Sequence, residues 1–390
     1  MKRRAFIAAA GAAGAAAAGI APARAQIPLQ QQFLQQLSVG VNVTLSGPLG
    51  KYGAEVVKGV QSAVDEINKF NAPISHVYGV RSFDDRNQAI VASTNASVAA
   101  SDPSVIGIVG NLTAEMTLAS LPHYANVGFA VFVPTVTADQ VTRRGYHNVF
   151  RLPASDSDSG RLFASAALYG KRPVASLAVS LDGSYGFDVA RAFVQQAKSD
   201  HHPADILLFP KDSPVDPAAA ARTILDREPG YVFLAGKTAE LGPIVEALRL
   251  ANYTGDFGAS DGFFNADTIA KYGKYMMGAQ IASSLPPLER VPSIVSLLSD
   301  FQHEVGQITA FSAYGYAAAQ LMVAASQRGN ASTRFSLLTA MQRGGTWTTL
   351  VGNFNFNVNG EPLLPNIYLY NIGKDGFDFA QPAIRSGFVV

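Results

Sequence analysis

Val39-Gly-Val-Asn-Val-Thr-Leu45 runs directly into Ser46-Gly-Pro-Leu-Gly-Lys-Tyr-Gly53, and from there into a helical run that ends Val64-Asp-Glu-Ile-Asn68. An apolar strand, a Gly/Pro turn and an amphipathic helix follow one another without a spacer. Such a turn sits at the C-terminal edge of a sheet, where the first N–H groups of the helix have no intrahelical acceptor. Open α/β folds bind small, often anionic, ligands at that edge. Ser46 and Tyr52 add a hydroxyl and an aromatic ring beside those donors.

Outward from this stretch the pattern repeats. Strands are expected at residues 39–45, 77–83, 105–109 and 129–133, and helices at 51–70, 87–100 and 115–126. In the first helix Val56, Val57, Val60, Val64 and Ile67 form one apolar stripe. Repeated β-α-β favours a parallel sheet with helices on both faces. After the polar stretch 153–160 the cycle restarts. Helices are expected at 161–169, 187–198, 217–227 and 240–251, and strands at 174–180, 206–209, 231–235, 256–259 and 277–282. Two more helices, 293–304 and 311–326, follow Pro286-Pro287. The run Asn353-Phe-Asn-Phe-Asn-Val-Asn-Gly360 alternates with period two and ends in Asn-Gly, a hairpin signal. Residues 367–371 pair with it or join a lobe edge. The fold expected is α/β with two lobes, each a mostly parallel sheet flanked by helices. More than one chain crossing joins them, so a hinge and a cleft are expected, and ligand sites favour clefts.

Composition agrees. A length of 390 residues exceeds one small domain, and 48% hydrophobic against 15% charged residues suits a large buried core. Residues 1–25 read as a signal peptide, with a cationic start, a small apolar stretch and Ala23-Arg24-Ala25 before the cut. Arg3-Arg4-Ala5-Phe6-Ile7 also resembles a twin-arginine export signal, although Lys2 precedes the pair, and a plain secretory start fits equally. Residues 26–37, rich in Gln, read as a flexible lead-in. Cleavage removes Lys2, Arg3, Arg4 and Arg24, which takes the net charge from +1 to about −3 and leaves no basic patch for nucleic acid. No apolar run in the mature region approaches the ~20 residues of a membrane span. With no cysteine there is no disulfide, thiolate nucleophile or lipobox. A soluble protein of the periplasm, monomeric and without a cofactor, is expected.

Catalytic patterns are thin. Gly258-Ala-Ser260-Asp-Gly262 follows a strand and matches a nucleophile elbow, with Asp267, Asp300 and His303 after it in hydrolase order. Asp261 beside the serine and a loop after it weaken the match. The plainer reading is a Gly-rich loop that places Asp261 in the cleft. His201-His202 has no ligand spacing. Asp156-Ser-Asp-Ser-Gly160 begins like a calcium loop, but its glycine comes one position early and position twelve falls on Ala167. Asp84-Asp85 at a strand end reads as capping more readily than as a metal site. No phosphate loop or dinucleotide fingerprint occurs.

Binding fits better, because polar residues gather where strands end. These are Ser46 and Tyr52, Asn111 and Thr113, Thr135 and Thr137, then Asp182 and Tyr185, Lys237, and Asp261. Any one of them is accounted for as a helix cap, but their joint placement points to a site. The first lobe offers neutral donors suited to a carboxylate. The second offers the carboxylate of Asp261, suited to an ammonium. An α-amino acid meets both, since each buried charge needs its own partner.

The chain resembles the periplasmic leucine/isoleucine/valine-binding proteins, solute-binding components of ABC importers, from about residue 39 to about 371. The resemblance rests on Ser46–Gly53, Phe83-Asp-Asp85, Pro134-Thr-Val-Thr-Ala138 with Arg144-Gly-Tyr146, Asp156–Gly160 and Asp182-Gly-Ser-Tyr-Gly186. It implies a binding protein that closes around an amino acid or similar carboxylate and hands it to permease and ATPase subunits. By the resemblance, Thr113 matches a serine that holds the ligand carboxylate. Thr135 and Thr137 match a loop whose backbone carbonyl and hydroxyl meet the ligand. Tyr52 and Tyr185 match covering aromatics, and Asp261 matches a glutamate facing the ammonium. It also implies discontinuous lobes: residues 38–155 plus 286–352, and 156–285 plus 353–390. Asp261 is one methylene shorter than that glutamate, Lys237 stands where branched-chain binders carry an aromatic, Asn111 brings an amide, and the family disulfide is absent. Lys237 and Asn111 argue for a ligand with an extra acidic or polar group. A ligand sensor of the same fold and a hydrolase using Ser260 are the alternatives.

Overall fold

The computed structural model describes residues 35–70, 76–290 and 295–383. The expected signal peptide and the expected lead-in as far as residue 34 lie outside the described residues.

The chain opens with β1 (Gln35–Val43), α1 (Gly50–Phe70), β2 (His76–Asp84), α2 (Ala89–Ser101), β3 (Val105–Gly110), α3 (Ala114–Asn126), β4 (Ala130–Val133), α4 (Gln140–Arg143) and β5 (Val149–Arg151). The five strands form one wholly parallel sheet in the order β2-β1-β3-β4-β5. β1 begins at Gln35, so residues 35–37, expected in the lead-in, pair with β2 instead. β5 was not expected, because three residues are too few to show an alternation.

Next come α5 (Asp156–Leu168), β6 (Ser176–Leu181), α6 (Phe187–Ser199), β7 (Ala204–Phe209), α7 (Pro217–Leu225), β8 (Tyr231–Leu234), α8 (Thr238–Leu250), β9 (Asp256–Ala259) and β10 (Gln280–Ser283). The chain continues through α9 (Val295–Val305), α10 (Ala310–Gly329), α11 (Arg334–Gln342), β11 (Trp347–Thr349), β12 (Gly352–Phe354), β13 (Tyr368–Ile372) and β14 (Phe377–Pro382). The second sheet is ordered β14-β13-β10-β9-β8-β6-β7. It is parallel from β10 to β7, and β13 and β14 add an antiparallel edge.

Continuous apolar runs such as Val105–Gly110 and Ser176–Leu181 are buried at every position, as strands covered on both faces must be. Each sheet has its own cores. Val39, Val41 and Val43 of β1 pack with Val56 and Val60 of α1 and with Ala317, Leu321 and Met322 of α10. Leu177 and Val179 of β6 and Val232 and Leu234 of β8 pack with Leu241, Val245 and Leu248 of α8. Thus α10 and α11, late in the chain, return to the first sheet, while β13 and β14 go back to the second.

Residues 353–361, expected with the second lobe, lie against the first. Phe354 is in the first core with Phe356 against it, and the N–H of Arg151 donates to the carbonyl of Gly360 (2.9 Å). The Asn359-Gly360 turn forms, closed by Gly360 N–H to the carbonyl of Asn357 (2.9 Å), but β12 pairs back to β11 rather than with its own continuation. Gly360 has φ +75°, and a Cβ there would stand 1.6 Å from the carbonyl oxygen of Val149, so the turn presses onto β5 as only glycine allows.

Three segments cross between the sheets, after β5, after β10 and before β13. The second is bonded from both sides. Tyr314 of α10 donates its hydroxyl to the carbonyl of Ser284 (2.8 Å), and Tyr370 of β13 donates to that of Leu285 (2.9 Å).

Candidate functional site

On the first sheet the strand-end loops are tied to one another. Two aspartates at the end of β2 hold the turn after β1. Asp84 accepts from the N–H groups of Leu45 (2.8 Å) and Arg86 (2.9 Å). Burial pushes its carboxyl up, but these donors and the Ser46 hydroxyl outweigh that and hold it below the usual range. Asp85, fully buried, accepts from the hydroxyl of Thr44 (2.5 Å), from Asn111 Nδ2 (3.1 Å) and from the N–H of Asn87 (2.9 Å). The pair caps loops, and among the described residues no group of three or more His, Cys, Asp or Glu is placed to hold a metal. Ser46 is exposed. Tyr52, half-buried, leans on Phe311 at the start of α10, with ring centroids 4.8 Å apart.

Asn111 follows β3 and is fully buried. Its amide nitrogen serves Asp85, which leaves Oδ1 without a partner among the described residues. Thr113 caps α3 by position only: its hydroxyl is buried, makes no cap bond and has no partner among the described residues. The Thr135 hydroxyl donates at long range to the carbonyls of Asn111 (3.4 Å) and Leu112 (3.3 Å). The carbonyl of Thr137 accepts from Arg151 Nη1 (2.7 Å) and from the N–H of Asp156 (2.9 Å), which fills both lone pairs. The N–H and the hydroxyl of Thr137 are left over, and the hydroxyl is turned to Asp156.

Asp156 is the first residue of α5, a helix capped by the Ser155 hydroxyl. It is buried, with one carboxylate oxygen unpaired among the described residues. Burial pushes its carboxyl up to about 7. The Thr137 hydroxyl opposes this, the charges of Asp261 and Asp139 add to it, and Arg151 opposes. Asp261 follows β9, and burial pushes it up to about 6 against the N–H groups of Gly262 and its own backbone. Tyr185 donates its hydroxyl to the Asp261 carboxylate. The Tyr185 backbone is set by Gly186 (φ +100°), where a Cβ would stand 2.2 Å from the carbonyl oxygen of Ala235. Tyr314 of α10 is fully buried, and burial above all, with a lesser push from Asp261, raises the pKa of its hydroxyl. Beside Thr137 and Asp156 lies a groove of 760 Å³ between the lobes, floored by Asp139 and Ser157 and walled by Arg143 and Arg191.

Ser260 is fully buried. Its hydroxyl donates to the carbonyl of Gly236 and accepts from that residue's N–H, each at 3.1 Å. Asp267 is on the surface with Lys271 (3.4 Å), and His303 is exposed on α9, which packs on α1. The hydrolase order in the sequence therefore assembles no triad. Ser260 instead staples the loops after β8 and β9 and so steadies Asp261.

Thr137 and Asp261 act on Asp156, Tyr185 bonds Asp261, and Thr135 bonds back to the loop of Asn111 and Leu112. Lys237 stands apart: its side chain is 59% exposed and its Nζ lies 3.8 Å from Glu240. Sequence reasoning missed three residues here. Asp156 had a signal in the Asp156–Gly160 stretch. Phe311 and Arg151, in apolar runs, had none.

Residues 36–376 match the profile of the family described as periplasmic binding protein. A Leu/Ile/Val-binding protein homolog of Brucella suis biovar 1 (strain 1330) is 23% identical over 341 residues, covering 87% of this chain and 91% of that one. The Leu/Ile/Val-binding protein of Escherichia coli (strain K12) is 25% identical over 237 residues, 59% of this chain and 63% of that one. Among solved structures, a leucine binding protein from Thermotoga maritima superposes with TM-score 0.77 at 19% identity, covering 89% and 98% of the two chains. A solute binding protein from R. palustris in complex with benzoate gives 0.74 at 17% identity, covering 89% and 96%. The chain belongs to the periplasmic binding protein family.

Proposed function

We propose that this chain binds a small α-amino acid with an apolar side chain between its lobes, closes around it, and delivers it to an ABC importer of the inner membrane. One observation carries the choice of ligand. The charge of Asp261 acts on Asp156, and the cation that acts on Asp156, Arg151, is already paired with Glu361. Two carboxylates without a cation of their own suit an ammonium. The unpaired Thr113 hydroxyl and the start of α3 suit the ligand carboxylate. Solved relatives carry leucine, isoleucine or benzoate. Benzoate has no ammonium and would leave the acidic pair unmatched here. With Lys237 in solvent, the argument for an acidic side chain falls, and the Tyr52–Phe311 pair offers an apolar wall.

In this reading residues 1–25 are the export signal and the mature protein works as a periplasmic monomer. One lobe comprises residues 35–155 with about 286–362, and the other 156–285 with the remainder. Members of this family bind solutes and are not enzymes, in keeping with the structural task of Ser260.

A thermal-shift screen with amino acids and aromatic acids tests the reading. A ligand at 100 times its Kd stabilises the fold by about 2.7 kcal/mol. Apolar amino acids are expected to shift the melt and benzoate is not. A shift by aromatic acids alone would replace the amino-acid reading.

A further inference from the structure

The cation beside the acidic pair is fully committed elsewhere. Arg151 closes β5 and is wholly buried. Its Nε donates to Glu361 Oε2 (3.0 Å) and Nη2 to Glu361 Oε1. Nη2 also donates to the Thr142 hydroxyl (3.3 Å), and Nη1 to the carbonyls of Thr137 (2.7 Å) and Ala138 (2.9 Å). All five donors of the guanidinium are thereby used. Glu361 belongs to the turn that presses Gly360 onto β5. Its N–H and that of Asn359 both donate to Asn357 Oδ1 (3.1 and 2.9 Å), so the carboxylate arrives on a rigid support. The third crossing between the lobes begins directly after it.

We propose that Arg151 and Glu361 are a positioning pair for the ligand. They preset the loop 137–139 and link its placement to the segment that leads into the third crossing. The inference rests on the amino-acid reading above. With the carbonyls of Thr137 and Ala138 turned toward Arg151, the Thr137 hydroxyl is left to meet Asp156, and Asp139 to meet Ser157 at the start of α5. A neutral residue at 361 would still accept hydrogen bonds but would leave the guanidinium charge unmatched. The loop would then lose its fixed aim, and the field of Arg151 at Asp156 would grow.

The test is calorimetric titration of the full mature chain with leucine across pH 5–8, for wild type, Glu361→Gln and Glu361→Asp. Glu361→Gln is expected to weaken binding roughly three- to thirtyfold, the range for residues coupled to a site without touching the ligand. Asp156 faces Asp261, Asp139 and Arg151, so the midpoint of the pH profile should also move to lower pH. A residue that merely supported the fold would leave that midpoint in place. If Glu361→Gln fails to fold, Glu361→Asp, whose shorter reach draws the charge back from the guanidinium, should weaken leucine and move the midpoint the same way by a smaller amount. Leucine binding that is tight in wild type and unchanged in affinity and midpoint in the variants overturns the pair's role. Absence of binding to wild type overturns the amino-acid reading, and this inference with it.

Discussion

Asp156, at the start of α5, and Asp261, after β9, come from distant points of the chain, yet the charge of Asp261 pushes the carboxyl of Asp156 up. Among the described residues neither forms an ion pair, and the Tyr185 hydroxyl sits on Asp261. Two acidic groups thus face one another here, and the adjoining groove carries arginines of both lobes, Arg143 and Arg191.

Stability without ligand should depend on pH through this pair. Burial holds Asp156 at about 7 in the folded state, against roughly 3.9 in an unfolded chain. Between those values the folded protein keeps a proton that the unfolded chain has lost. Stability therefore falls as pH rises from about 4 to 7, by up to ~1.4 kcal/mol per pH unit, and levels off above. Asp261 adds a slope of the same sign as far as about 6. Chemical melts at several pH values should show the slope reduced in Asp156→Asn, and an identical slope in that variant would count against the assignment. Affinity for an ammonium should run the other way, rising with pH through 6–7.

Removing the Asp261 carboxylate tests the ammonium directly. Asp261→Ala should weaken amino-acid binding by about 2–5 kcal/mol, the usual cost of stripping one partner from a buried charge pair. Calorimetry that finds unchanged affinity would rule out an ammonium at this position.

Ser260 should matter for the fold and not for turnover. Ser260→Ala leaves the buried N–H and carbonyl of Gly236 without their partner, at a cost of about 1–3 kcal/mol in stability. Assays with ester and amide substrates should read zero for both proteins. Hydrolysis that vanishes in the variant would restore the nucleophile reading.

Lys237 should be nearly silent. Its charge is exposed and close to Glu240 only at 3.8 Å. Lys237→Ala should change stability and ligand affinity by less than about 0.5 kcal/mol. A large loss for one class of ligand would show that the side chain turns inward when the cleft is filled.

The two sheets were legible because their strands are short apolar runs and their helices amphipathic, a contrast that local periodicity reports. The strand-end residues were legible for the same reason: once β3 and β4 are placed, Asn111, Thr113, Thr135 and Thr137 follow. What the sequence hid is long-range. Arg151 finds Glu361 across 210 positions, and no local pattern signals a guanidinium at the end of a three-residue strand. Lys237 was misjudged because position along the chain says where a residue starts, not which way a flexible four-carbon stem points. Asp156 sat in a noticed motif, but its raised pKa comes from burial and from neighbours that only folding supplies. The run 353–360 showed its turn plainly, yet the partner of β12 is set by packing beneath α10.

The tyrosine hydroxyls at the second crossing have a mechanical consequence. Tyr314 grips Ser284 from one side, Tyr370 grips Leu285 from the other, and Pro286-Pro287 follows with little torsional freedom. That strand cannot act as a loose tether. If the lobes close as proposed above, it should serve as a stiff axle that permits swing and resists twist, confining the stroke to one arc. Reporter dyes on the two lobes should therefore show two distances, one for each end of that arc, rather than a continuum.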